Sequence, residues 1–251
     1  MIRLFSRILP GLLALFLGTS AVFAKADLEQ ANKIFQSGDF AGAITAYQNI
    51  ITAEGPGAAA FYNLGNSHYR LGQYGPAILA YERAKLLTPR DPDLRANLNL
   101  ARKAATVFDK SGYDPRLEAV LTWLSVNEWS WLVAGAALWI GAVSMIFGVV
   151  RISRPGTRKL AAGSIIFASL TILVGATALV LRRDESSRGI VLSKDAAVYL
   201  SPFEKAETLG TPGAGRIVKM GEKSGGYFYI SVPETGLQGW MADKDVEKIL
   251  P

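Results

Sequence analysis

Two charge-free stretches of 22 residues, 129–150 and 160–181, flank a nine-residue connection that carries four basic residues and no acid. As helices rising about 1.5 Å per residue, each spans about 33 Å, enough for a hydrocarbon layer of about 30 Å. A buried hairpin in a soluble core is the alternative. It fits poorly, because soluble helices are seldom this long and apolar on every face. The connection holds Arg151, Arg154, Arg158 and Lys159. Short loops this basic stay in the cytoplasm, so both ends of the chain are expected on the far side of the membrane.

The N-terminus agrees. Arg3 and Arg7 precede an apolar stretch, residues 8–23, that leads into Val22-Phe23-Ala24. A basic start, a short apolar core and small residues before the junction describe a secretory signal peptide, with cleavage expected after Ala24. An uncleaved anchor would leave the topology unchanged. The chain has no cysteine. That excludes disulfides, thiol catalysis, cysteine metal sites and a lipoprotein signal. The net charge of +6 is carried by the signal peptide and the basic connection. With those six residues set aside, basic and acidic residues number 21 each. The alkaline balance therefore reflects membrane orientation, and no nucleic acid partner is expected.

The segment 25–108 reads as helical repeats. Gly38-Asp39-Phe40 returns as Gly72-Gln73-Tyr74, Ala43-Ile44 as Ala77-Ile78, and Tyr47 as Tyr81, all offset by 34 residues. This period and pattern resemble the tetratricopeptide repeat. The second copy is nearly complete, with Phe61, Leu64, Gly65, Gly72, Tyr74, Ala77, Tyr81, Ala84 and Pro89. Gly65 and Ala77 are expected to let two helices approach, Gly72 to end the first helix, and Pro89 to stop the second. The first copy has Asp27 and Gln30 where large apolar residues are usual, which suits an exposed terminal repeat. Residues 93–107 place Leu94, Leu98, Ala101 and Ala105 on one stripe, a closing helix.

The resemblance implies a concave groove, lined by the first helix of each pair, that binds peptide segments. In this chain those positions are Asn32, Tyr62, Asn63, Asn66, Tyr69, Arg70 and Asn97. Side-chain amides both donate and accept, so they suit an extended backbone, and Arg70 suits a carboxylate. Surface solvation or turn capping is the plainer role for the same amides. His68, the one histidine, stands where the repeat has a packing aromatic and is expected to be structural. Neither metal nor cofactor is expected.

Residues 109–128 read as an interfacial linker. Leu117, Val120, Leu121 and Leu124 follow helical spacing, and Trp123, Trp129 and Trp131 are expected at headgroup level. Ala137 with Gly141, and Ser164 with Ala168, are small pairs that would let the two spans pack. Neither span holds an ionisable residue, which argues against an ion pathway.

Five β-rich stretches follow, at 189–192, 197–200, 215–219, 227–232 and 239–241, separated by Gly- and Pro-rich turns. Their order, with Ser201-Pro202 early and Gly239-Trp240 late, resembles the bacterial SH3-like domain. Relatives often have arginine where Tyr199 stands and tryptophan where Tyr227 stands. The resemblance implies a small closed or half-open barrel that takes cell-wall peptides or protein segments. Tyr199, Tyr227, Tyr229 and Trp240 could form its aromatic groove, although Trp240 reads more readily as core.

The expected whole is a multi-domain membrane protein. A signal peptide (1–24) is followed by all-α tetratricopeptide repeats (25–108) and an interfacial linker (109–128). Transmembrane helices 129–150 and 160–181 flank a cytoplasmic loop (151–159), and an all-β SH3-like barrel (182–251) closes the chain. This order of parts resembles the BatE-type proteins of bacterial Bat (aerotolerance) operons. The resemblance implies a two-pass inner-membrane scaffold with both domains in the periplasm. Its partners would be von Willebrand A domain proteins and a MoxR-type ATPase. A peptidoglycan-binding sensor is the other functional expectation. An enzyme is not expected, since no nucleotide-binding glycine loop or metal cluster is present.

Overall fold

The computed structural model describes residues 27–107, 115–149, 155–233 and 235–250. The expected signal peptide and residues 151–154 of the connection lie outside them. The first helical segment runs α1 (27–36), α2 (Phe40–Glu54), α3 (Ala58–Arg70), α4 (Tyr74–Leu87) and α5 (Pro92–Ala104). The same turn is built twice. Gly38 and Gly72 take φ of +87° and +72°, and each N–H returns to the carbonyl three residues back, on Phe35 and Tyr69. These are left-handed positions that favour glycine. Asp39 caps α2 through the Gly42 N–H, and Asp91 caps α5 through those of Asp93 and Leu94. Pro92 sits in the first turn of α5, where its missing N–H costs nothing.

Packing follows from residue size. A Cβ on Gly65 would lie 2.6 Å from the Tyr81 ring, so only glycine admits α4 this close to α3. Ala43, Tyr47, Ala77, Tyr81, Ala84, Leu94, Leu98 and Ala101 form one buried core along the array.

α6 (Pro115–Trp123) leads into α7 (Val126–Val149) and α8 (Pro155–Leu181). The last two are long and apolar enough to cross a membrane. They are antiparallel, since late α8 meets early α7 at Gly175 and Val133. Ser125 and Glu128 start α7 as a reciprocal cap. The Glu128 N–H donates to Ser125 Oγ (3.2 Å) and the Ser125 N–H to Glu128 Oε2 (2.8 Å). Two details correct what the sequence suggests, and a third adds to it. α8 begins at Pro155, so Arg158 and Lys159 belong to its first turns and not to a loop. Ala137 and Gly141 face outward, and the small residues that pack are Ala168, Gly175 and Ala178. Trp129 is buried against Leu121 and Ala178, its indole N–H held by the Leu121 carbonyl, while Trp123 and Trp131 are exposed. Arg182 joins these elements, donating to the carbonyls of Leu121 and Leu124 and pairing with Glu185 at 2.9 Å.

The C-terminal part is one antiparallel sheet of seven strands, not five. They are β1 (Arg188–Val191), β2 (Val198–Tyr199), β3 (Thr208–Gly210), β4 (Ile217–Ser224), β5 (Tyr227–Ser231), β6 (Gln238–Ala242) and β7 (Val246–Lys248), in the order β3-β2-β6-β5-β4-β1-β7. The sheet is not closed, with β3 and β7 as its two edges, so of the closed or half-open barrel expected the closed form is excluded. On the β7 side, side-chain donors stand in for a closing strand. Arg83 of α4 donates to the carbonyls of Lys248 (2.7 Å) and Ile249 (3.1 Å) and to the Glu247 carboxylate (2.7 Å).

Side chains alternate across a strand, so β1 serves two cores. Val191 joins Val198, Val218, Met220, Ile230, Met241 and Val246 in the sheet's own core. Ile190, with Ile249, joins the core of the repeats. The repeats and the sheet are therefore packed together. A Cβ on Gly75 would meet the Leu192 carbonyl at 2.3 Å, and one on Gly215 would meet Ile78 at 2.5 Å. Glu82 lies buried at this junction, hydrogen-bonded to Arg102. Burial raises its pKa, but Lys85, Arg102 and Arg188 outweigh that effect and hold the carboxyl below its ordinary range.

Candidate functional site

The first helices of successive pairs, α1, α3 and α5, bring Asn32, Asn63, Asn66 and Asn97 into one continuous ladder. Asn63 Nδ2 donates to Asn32 Oδ1 (2.9 Å), Asn66 Nδ2 to Asn63 Oδ1 (3.4 Å), and Asn97 Nδ2 to Asn66 Oδ1 (3.1 Å). Two tyrosines of the second helices lock it. Tyr47 donates to Asn32 Oδ1 at 2.7 Å and Tyr81 to Asn66 Oδ1 at 2.8 Å. Burial pushes both phenols above their ordinary pKa, so both hydroxyls keep their protons and remain donors. In the sequence these tyrosines stand out only as repeat positions, and their bonds to the asparagines are not expected from it. The signal was present: Asn32 and Tyr47, like Asn66 and Tyr81, stand 15 residues apart and repeat at 34.

An amide oxygen has two lone pairs. Those of Asn32 and Asn66 are each filled from within. The amides therefore hold neighbouring repeats in register, which is a structural duty added to any surface role. Asn97 also donates to Tyr62 Oη at 2.8 Å, so Tyr62 is part of the same network.

Beside the ladder lies a cleft of about 260 Å³ lined by Phe35, Asn66, Tyr69, Arg70, Tyr81, Asn97 and Leu100. Four of these are residues expected in the groove. Phe35, Tyr81 and Leu100 are not among the expected groove residues; Leu100 is 53% exposed. Arg70 is exposed and lies 4.6 Å over the Phe40 ring. Tyr69 packs on Tyr74 at 5.7 Å. The cleft thus combines an apolar floor, a cation and amide groups, and an extended segment with apolar and acidic side chains would suit it. His68 is turned away into the helix end, its Nδ1 2.6 Å from Gln73 Oε1.

Tyr199, Tyr227, Tyr229 and Trp240 share the sheet's other face, opposite the core on which Phe228 packs. Tyr199 pairs with Trp240 across β2 and β6, and Trp240 with Tyr229 across β6 and β5. Tyr229 and Trp240 meet edge to face at 5.5 Å, as Tyr199 and Tyr227 do at 6.1 Å. Trp240 is not a residue of the sheet core: its neighbour Met241 points there instead, and Trp240 is half-buried on the outer face.

Residues 58–91, comprising α3, α4 and the turn that follows, match the tetratricopeptide repeat family. No curated protein matches the chain. The chain thus contains a tetratricopeptide repeat, a module whose general use is protein–protein interaction.

Proposed function

We propose that this chain is a non-enzymatic, membrane-anchored scaffold that holds a partner protein segment in the groove of its repeats. The observation that carries this reading is the open cleft beside the asparagine ladder. The sheet packs on α4, a second helix of its pair, and leaves the first-helix side free. The two apolar helices supply the anchor, with both folded parts on the periplasmic side of a bacterial inner membrane. The order of parts supports a place in a Bat-type envelope complex, with von Willebrand A domain proteins and a MoxR-type ATPase as partners.

The test is a pull-down of the tagged, detergent-solubilised protein from native membranes, read by mass spectrometry. Recovery of those partners, lost on Arg70→Glu, is the expected result. Arg70 is the variant of choice because its guanidinium is exposed and lies outside the ladder, so the array stays folded. Recovery of the partners undiminished by Arg70→Glu would move the contact out of the cleft. Absence of both partner classes would remove the Bat-type assignment.

The aromatic face of the sheet favours a second reading, a peptidoglycan-binding sensor. The ring faces and edges of Tyr199, Trp240 and Tyr229, set side by side across β2, β6 and β5, offer an extended ligand a band of aromatic contacts. Wall fragments recovered without partner proteins would favour it.

A further inference from the structure

We propose that the sheet is a buttress for the groove, so that docking of the sheet and order of the groove form a single equilibrium carried by α4. The proposal holds whichever segment the groove takes.

The argument starts from what α4 touches. It is buried nearly all round: Gly75, Ala77, Ile78, Leu79, Ala80, Tyr81, Glu82 and Ala84 are all buried. Its α3 side carries Tyr81, which fills the space above Gly65 and donates to Asn66 in the ladder. At about 100° per residue, Arg83 falls about 160° round the helix from Tyr81, and Gly75 and Glu82 about 100–120° round. There the helix receives the sheet. Arg83 makes its three bonds to residues 247–249, and the carbonyls of Val191 and Leu192 stand where a Cβ on Gly75 would point. Ile78 is fully buried and meets the Gly215 loop.

A helix packed on both sides has two states, held or frayed, and local opening is the coupling element. If the sheet leaves, Ile78 and Glu82 are bared and Glu82 loses Arg188, whose charge acts on it across the junction. α4 is then held by α3 and α5 alone, and the lock of Tyr81 on Asn66 loosens. By linkage, a ligand that orders the groove tightens the docking of the sheet.

Hydrogen exchange on the full chain in nanodiscs tests this with Gly75→Ala and Arg83→Met. Alanine is the better helix former, so without the sheet Gly75→Ala would slow exchange in α4. In the docked protein its Cβ strikes the Leu192 carbonyl and expels the sheet. The expected result is exchange faster by about tenfold or more in β1, β7 and also α3. Arg83→Met keeps the packed stem, removes the three bonds, and should act in the same direction should Gly75→Ala fold poorly. Faster exchange in β1 and β7 with α3 unchanged would overturn the coupling. No change in any of the three elements in either variant would overturn the docked arrangement and the proposal with it.

Discussion

His68 ends α3 with its ring half-buried and its Nδ1 against Gln73. Burial pushes its pKa below the ordinary 6.5, and the bond to Gln73 opposes that only in part. The unfolded chain then takes up a proton at a higher pH than the folded one. Stability is therefore fully present above the unfolded value and is lost as pH falls through the window beneath it. We expect the thermal midpoint to drop between about pH 7.5 and about pH 5.5, and His68→Gln to flatten that slope. A wild-type midpoint that rises on acidification would contradict the assignment. At this scale the sequence was readable where size and backbone freedom decide the residue. Gly38 and Gly72 stand where the repeated turn takes a positive φ, and Gly65 where a Cβ would strike the Tyr81 ring. The asparagines were read as donors and acceptors toward a ligand. Their bonds to one another depend on the angle between helices, which one-dimensional spacing does not specify.

Among the elements, the two apolar helices show the limit most clearly. Their existence follows from length and the lack of charge. Which face packs does not, since an apolar run without polar contrast marks no side as the inner one. The spacing of small residues suggests Ala137 with Gly141 and Ser164 with Ala168; of these four, Ala168 is buried. The contact uses Gly175, where an added Cβ would meet Val133 at 2.5 Å, while Gly141 has nothing within 4 Å. Gly175→Leu is expected to cost about 1–3 kcal/mol by overpacking. Gly141→Leu should stay within about 0.5 kcal/mol. Unfolding of the purified protein in a mixed detergent series compares them, and equal losses would place the helix contact elsewhere. The short strands tell the same story in β structure. β3 and β7 are three residues each, Thr-Leu-Gly and Val-Glu-Lys, with too little alternation to be seen alone. They form because β2 and β1 offer them a partner edge.

For the whole molecule, the junction between repeats and sheet constrains topology independently of charge. Arg83 and Glu247 are 2.7 Å apart, yet both apolar helices lie between them in the chain. Two groups in contact occupy the same side of any membrane, so helices between them that cross one do so an even number of times. The basic connection and this contact thus point to one hairpin, by charge asymmetry in one case and by packing in the other. Because the chain has no cysteine, single cysteines report sidedness without background. Lys33 and Lys205 are exposed on the repeats and on the sheet, and Gly156 is exposed at the start of α8 with open space around it. In sealed vesicles of one orientation, an impermeant maleimide should label Lys33→Cys and Lys205→Cys together. Gly156→Cys should react only in vesicles of the opposite orientation. Labelling of all three from one side would mean that the hairpin does not cross. Labelling of the first two from opposite sides would mean that repeats and sheet never meet, and the buttress would fall with that result.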